Sequence, residues 1–218
     1  MIKGAVFDMD GLMFDTENLT YRAWQKAMDD AKIPYSFEIY KKTIGKRTAE
    51  VQKFYKALYG EGFDYQSLRS AGNRYFSDEI QKNGVPVKRG LYNILKFFRD
   101  NSVKIALATS SSRAYAVEML KKAKVESYFD AYICGDTVKN GKPHPEVFLT
   151  AAKALDLSKD DCIVFEDSLT GVDAGINAKM RVIMIPDFIK PDDERKAKLF
   201  GLFDDLEQAR DFLLNTYF

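Results

Sequence analysis

Residues 5–11 read Ala-Val-Phe-Asp-Met-Asp-Gly, and this stretch decides the fold. A short apolar run passes straight into acid. Asp8 and Asp10 stand two apart, so on an extended segment they point to the same side and can face one reaction centre. Gly11 permits the tight turn that has to follow. Solvated strand ends also carry Asp-x-Asp pairs, so this pair gains weight only from what comes after it.

The same pattern recurs along the chain. Val103–Ala108 (VKIALA) runs into Thr109, Ser110, Ser111 and Ser112. Ala131–Cys134 runs into Gly135 and Asp136, Cys162–Phe165 into Glu166, Asp167 and Ser168, and Arg181–Ile185 into Pro186 and Asp187. Short, nearly continuous apolar runs are what parallel strands covered on both faces require. Helical patterns lie between them. Ala114–Lys124 places Ala114, Val117, Leu120 and Lys121 at helical spacing. Pro145–Leu155 opens with a proline suited to a first helical turn, and Ser168 can N-cap the segment after it. Alternating strand and helix signals predict a doubly wound α/β domain with a parallel sheet.

One stretch breaks the alternation. From about Asp15 to Gly84 the sequence carries helix patterns and no convincing strand. A first helix is expected from Thr16, with Tyr21, Trp24, Ala27 and Met28 on one face and Pro34 as its stop. Gly45, Gly60 and Gly62 punctuate further helices, and Leu68–Lys82 reads as another. The expected division is a core of residues 1–14 and 87–218 and an inserted all-helical domain of residues 15–86. The two crossings, near Leu12–Thr16 and Asn83–Arg89, are candidate hinges. Met13 and Phe14 either pack the crossing or line a cleft.

Composition excludes several classes. The chain has 218 residues, 33 Lys+Arg against 32 Asp+Glu, and a formal charge of +1. No global positive field draws it to nucleic acid or to an anionic membrane. With 46% hydrophobic and 30% charged residues it reads as globular. No apolar run reaches the length of a spanning helix. The stretch MIKGAVFDMDG is too short in apolar residues for a secretory signal. Cys134 and Cys162 lack metal-type spacing and read as buried thiols in a reducing cytosol, so a cytoplasmic location is expected. His144, the one histidine, excludes multi-histidine metal sites and is poorly placed between Pro143 and Pro145 for a catalytic triad.

In open parallel sheets, ligands bind beyond the carboxyl ends of the strands. Here that rim is acidic: Asp8, Asp10, Asp136, Glu166, Asp167 and Asp187. Clustered carboxylates repel one another and call for a cation. Glu166 and Asp167 at a strand end suit Mg²⁺, which prefers oxygen ligands and keeps several waters. Thr109 and Ser110 offer a hydroxyl and backbone N–H groups at a helix start, which suits phosphate oxygens, although such residues also serve as plain caps. In Gly141-Lys142-Pro143-His144-Pro145 the prolines and glycine fix Lys142 in a rigid loop, either as a point charge beside the acids or as a solvated lead-in to a helix.

Taken in order, FDMDGLMFDTE, LATSSSR, GKPHPEVF and FEDSLTGVDA resemble the haloacid dehalogenase superfamily over essentially the whole chain. Within it they are similar to the sugar-phosphatase and beta-phosphoglucomutase-like branch, whose first motif has the form FDxDGxxxDT, here Phe7 to Thr16. The resemblance implies a Rossmann-like core with a helical cap inserted after the first strand. It implies Asp8 as nucleophile, forming an aspartyl-phosphate, and Asp10 as general acid/base. Mg²⁺ would be held by Asp8, by the backbone carbonyl of Asp10 and by Asp167, with Glu166 in the outer shell. Thr109, Ser110 and Lys142 would bind the phosphoryl group, Lys142 also restraining Asp8. Arg47, at a helix start in the cap, either clamps a distal group of the substrate or belongs to a solvated basic turn.

Mutase relatives carry a histidine on the first cap helix, where alignment puts Thr20. The departure favours hydrolysis. The expectation is a Mg²⁺-dependent phosphatase of a small phosphorylated metabolite, a sugar phosphate or a nucleotide-like monophosphate. Its alternatives are a hexose-phosphate mutase and a non-catalytic binding protein on the same fold. The expected partners are that small molecule alone, without nucleic acid polymer or membrane, on a monomer.

Overall fold

The computed structural model describes residues 2–44 and 48–217. The chain divides into two compact units, Met1–Asp15 with Val87–Phe218, and Thr16–Pro86.

The first unit is built on a six-stranded sheet, with β1 (Gly4–Phe7), β2 (Lys104–Ala108), β3 (Ala131–Ile133), β4 (Cys162–Glu166), β5 (Arg181–Met184) and β6 (Gly201–Leu202). The order is β3-β2-β1-β4-β5-β6, and every neighbouring pair is parallel. This is an α/β fold, as the alternating pattern requires. β1 lies in the centre, with Val6 opposite Ala106 on one side and Val164 on the other. All of β1 and β4 is buried, which explains their unbroken apolar runs. Successive residues face opposite sides. Phe7 stacks on Phe165 at 4.5 Å between ring centroids, with Phe98 edge-on to both. On the other face Val6, Ala106, Val164 and Val182 pack with Phe148, Ala151 and Val172. Each large side chain buried this way contributes about 1.5–3 kcal/mol. β6 is only Gly201–Leu202, too short to leave an apolar run in the sequence.

Among the described residues this unit has six α-helices, α5 (Leu91–Asp100), α6 (Arg113–Lys122), α7 (Glu146–Ala154), α8 (Leu169–Asn177), the short α9 (Asp193–Lys196) and α10 (Leu206–Tyr217), of which α5, α7 and α8 pack on the strands. The expected apolar face of α6 needs correction. Ala116, Met119 and Leu120 are buried, whereas Ala114 is exposed. The true stripe continues to Ala123, at the i, i+3, i+4, i+7 spacing, and Ala114 falls outside it. Ser112 caps this helix by accepting from the Tyr115 N–H.

Both crossings are tied down within this unit. Phe14 forms an antiparallel bridge with Val87, and the Lys88 N–H donates to the Met13 carbonyl at 2.9 Å. Met13 and Phe14 are fully buried, so they pack the crossing.

The second unit is helical: α1 (Thr16–Asp30), α2 (Phe37–Lys41), α3 (Thr48–Tyr59) and α4 (Tyr65–Asn83). α1 buries Leu19, Ala23, Trp24, Ala27 and Met28, a 3.6-residue stripe, and packs along α4. Trp24, Tyr55, Phe63, Tyr65 and Leu68 form the centre of its core. Tyr21 packs among Tyr35, Phe37 and Tyr40. Trp24 is therefore a core residue of this unit, whereas Tyr21, expected on the same face, is half-buried in a neighbouring aromatic cluster. α4 starts before the expected Leu68 because Asp64 caps it, accepting from the Ser67 N–H at 3.1 Å. Among the described residues no helix is long and apolar enough to cross a membrane.

Candidate active site

Five of the six expected rim acids come from three adjacent strand ends; Asp136, after β3, instead accepts from the Arg113 N–H. β1 delivers Asp8 and Asp10, β4 delivers Glu166 and Asp167, and the segment after β5 delivers Asp187. Asp8, Glu166 and Asp167 are buried, and one carboxylate oxygen from each lies within 4.8 Å of the others. Three buried negative groups at that separation repel strongly. Burial drives the Asp8 carboxyl up to about 7, against the pull of Lys142 and with a further push from Glu166. Burial, then the charges of Glu166 and Asp8, raises Asp167 well above the usual carboxylate range. A hard divalent cation on oxygen donors relieves this repulsion, so the residues present fit such an ion.

Lys142 reaches into the cluster from the loop before α7. Its ammonium is buried and donates to Asp8 Oδ1 at 2.5 Å and to Glu166 Oε1. Burial alone would lower its pKa, but Asp8 and Glu166 outweigh burial and the net shift is upward. Local bonds shape the loop. Glu146, in the first turn of α7, accepts from the backbone N–H groups of Lys139 and Asn140 at 2.8 and 3.1 Å. Asn177, at the end of α8, donates to the Pro143 carbonyl at 3.1 Å. Lys142 is a fixed charge and not a solvated helix lead-in.

Glu166 is saturated by the protein. Oε1 takes Lys142, and Oε2 accepts from the Asp167 and Ser168 N–H groups and the Ser168 hydroxyl at 3.0, 3.1 and 3.0 Å. The Ser168 hydroxyl also caps α8 by accepting from the Gly171 N–H at 3.1 Å. Gly171 is required there, because a Cβ would lie 1.9 Å from the Glu166 carboxylate. Gly11, at φ +82°, serves the same end: a Cβ on it would meet Asp167 Oδ2 at 2.2 Å.

Asp10 has partners of a different kind. Its carboxylate accepts from the Ser111 hydroxyl at 2.7 Å and from the Tyr115 hydroxyl at 3.4 Å. The pair two residues apart is thus split: a buried ammonium grips Asp8, whereas the Ser111 and Tyr115 hydroxyls are among the partners of Asp10. Thr109 is buried, and its hydroxyl accepts from the Ser111 N–H at 3.1 Å. Ser110 is exposed at the loop surface. Arg47, with Gly45 and Lys46, lies outside the described residues.

Ser111, Tyr115, Lys88 and Asp15 escaped the sequence reading as residues of this neighbourhood. Ser111 stood within a quoted serine run without being distinguished from its neighbours. Tyr115 had no signal beyond helix patterning. The Lys88 ammonium lies 2.6 Å from Asp187 Oδ1 and 3.3 Å from Asp15 Oδ1, a junction of chain segments far apart in sequence.

A parallel α/β sheet with carboxylates and a buried lysine at the carboxyl ends of its strands is the arrangement expected of a haloacid dehalogenase-type fold. A family model described as haloacid dehalogenase-like hydrolase matches residues 5–185, and the chain belongs to that family. A phosphorylated carbohydrates phosphatase of Thermotoga maritima is 30% identical over 191 residues, covering 81% of this chain and 82% of that protein. A beta-phosphoglucomutase of Bacillus subtilis is 29% identical over 185 residues, covering 82% and 81%. The crystal structure of a beta-phosphoglucomutase from Clostridium difficile superposes with a TM-score of 0.75 at 25% identity, covering all of this chain and 97% of that one.

Proposed function

We propose that the protein is a Mg²⁺-dependent phosphatase of small phosphomonoesters, with a sugar phosphate or a nucleotide-like monophosphate as substrate. The observation that carries this reading is the split environment of Asp8 and Asp10. Phosphoryl transfer through a carboxylate needs one unprotonated nucleophile and one separate group that trades protons. Asp8, gripped by Lys142, is the fixed nucleophile. One of its oxygens attacks phosphorus, the ester bond breaks, and an aspartyl-phosphate forms. Asp10 gives a proton to the departing oxygen, then takes one from the water that attacks phosphorus and frees Asp8. Hydroxyl partners suit Asp10 to this exchange, because they accept either of its protonation states.

Asp8, Asp167 and the Asp10 carbonyl are assigned to the cation, with Glu166 behind them. When bound, the cation supplies positive charge that keeps Asp8 ionised and offsets charge on the transferring group. Lys142 neutralises the same group, while Thr109 orients it through its hydroxyl and Ser110 through its backbone N–H and hydroxyl, the Thr109 N–H being held by the Ile133 carbonyl at 3.0 Å. The helical unit, Arg47 included, is assigned substrate choice.

The relatives named beta-phosphoglucomutase keep a second reading in view, a hexose-phosphate mutase. Thr20 speaks against it. Its hydroxyl donates to the Thr16 carbonyl at 2.7 Å within α1, and a threonine cannot act as a base near neutral pH. Phosphate release from a panel of sugar phosphates and nucleoside monophosphates, with and without Mg²⁺, tests the proposal. Release that vanishes in Asp8→Asn supports it. No release from any member, or turnover intact in Asp8→Asn, refutes it. Phosphorus NMR of a hexose 1-phosphate incubated with a bisphosphate activator separates hydrolysis from isomerisation.

A further inference from the structure

Asp187 follows β5, outside the residues assigned above to catalysis. Its side chain is only 9% exposed. Oδ1 is taken by the Lys88 ammonium at 2.6 Å. Oδ2 is buried and has no hydrogen-bond partner among the described residues. A buried carboxylate oxygen left without a donor is costly, and native structures rarely keep one without a purpose.

Its direction supplies the purpose. A Cβ placed on Gly11 would lie 3.3 Å from Asp187 Oδ2 and 2.2 Å from Asp167 Oδ2. The two oxygens converge on one point beside Gly11, whose missing side chain leaves the space between them open. Asp167 is one of the carboxylates that fit a divalent cation. Such an ion of the Mg²⁺ type keeps several waters, each a strong donor that needs an acceptor. Lys88 holds the Asp187 carboxylate through its other oxygen and leaves Oδ2 facing that space.

We infer that Asp187 is a positioning residue for the cation: Oδ2 accepts a hydrogen bond from a water on the ion bound at Asp8 and Asp167. Lys88 fixes the carboxylate and balances its charge. The inference rests on the metal reading of the site and adds a residue to it. Acceptors of this outer kind set metal affinity by about 10–100-fold in well-studied sites.

Two experiments test it. Crystals of the wild-type protein soaked in Mn²⁺ locate the ion by anomalous scattering. The expected map shows Asp187 Oδ2 bonded to a water on the ion. An ion bound at Asp8 and Asp167 with Asp187 turned to a protein donor overturns the inference and leaves the metal reading intact. Absence of any ion overturns both. Calorimetric titration with Mg²⁺ is the second measurement, and it needs no turnover. Asp187→Asn and Asp187→Ala are expected to bind about 10–100-fold more weakly than wild type. Wild-type affinity in either variant, with its circular dichroism unchanged, refutes the assignment.

Discussion

Replacing Lys142 by Met removes one buried ammonium and keeps most of the side-chain volume and its packing over the Phe148 ring. What remains are the Asp8, Glu166 and Asp167 carboxyls, none more than 9% exposed. Removing one partner of a buried pair costs about 3–5 kcal/mol, because the other charge is left unpaired. For a chain of this size each kcal/mol moves Tm by about 2–4 °C, so a fall of roughly 6–20 °C is expected. Asp8 limits the loss by binding a proton. In the metal-free wild type Asp8 already stands at about 7 against an ordinary 3.8, so the folded state binds more protons than the unfolded one between those values. Metal-free stability therefore falls as pH rises from about 4 to about 7, and the penalty is complete above the folded value. Without Lys142 the pKa of Asp8 climbs further, and the same penalty extends to higher pH. Urea unfolding in EDTA at pH 5.5 and pH 8.5 measures both effects. Lys142→Met should lose about 3–5 kcal/mol at pH 8.5 and much less at pH 5.5. Equal losses at the two pH values, or none at pH 8.5, refute the charge argument.

Other expected outcomes follow from the same geometry. Ser111→Ala removes the 2.7 Å donor to Asp10, and a hydrogen bond to a charged group is worth about 1.5–3 kcal/mol. Phosphate release should fall about 10–100-fold in kcat with little change in KM, and an unchanged kcat counts against Asp10 as the proton carrier. Gly171→Ala forces a methyl into the Glu166 carboxylate, which other bonds hold in place, and should cost about 1–3 kcal/mol in urea unfolding. A neutral result there means that Glu166 is free to move. Burial pushes the Cys162 thiol up to about 11, so iodoacetamide at pH 8 should label it only in urea. Rapid labelling of the folded protein contradicts that burial.

The sequence displayed the sheet because each long strand is buried on both faces and reads as an apolar run. It displayed Lys142 because a glycine and two prolines mark its loop. β6 was invisible, since two residues carry no pattern. The face of α6 was misread because alanines occur on both sides of that helix, and only packing chooses between Ala114 and Ala116. Which hydroxyl of the serine run meets Asp10 depends on the turn geometry after β2, which no spacing rule specifies. The junction of Lys88 with Asp15 and Asp187 comes from three distant segments, and the side-by-side placement of β1, β4 and β5 is what brings it together.

The bridge between Phe14 and Val87 has a consequence for how this architecture tolerates change. The chain leaves the first unit at one point and returns to it beside that point, so the core meets the excursion from Thr16 to Pro86 as it would meet a hairpin turn. Loop-closure entropy grows only with the logarithm of loop length, about 0.6 kcal/mol per doubling. The excursion can therefore lengthen, shorten or change its fold while the strand ends that carry Asp8, Glu166 and Asp167 stay in register. The proposed catalytic groups and the helical unit proposed to choose the substrate thus lie on parts of the chain that can vary independently of each other.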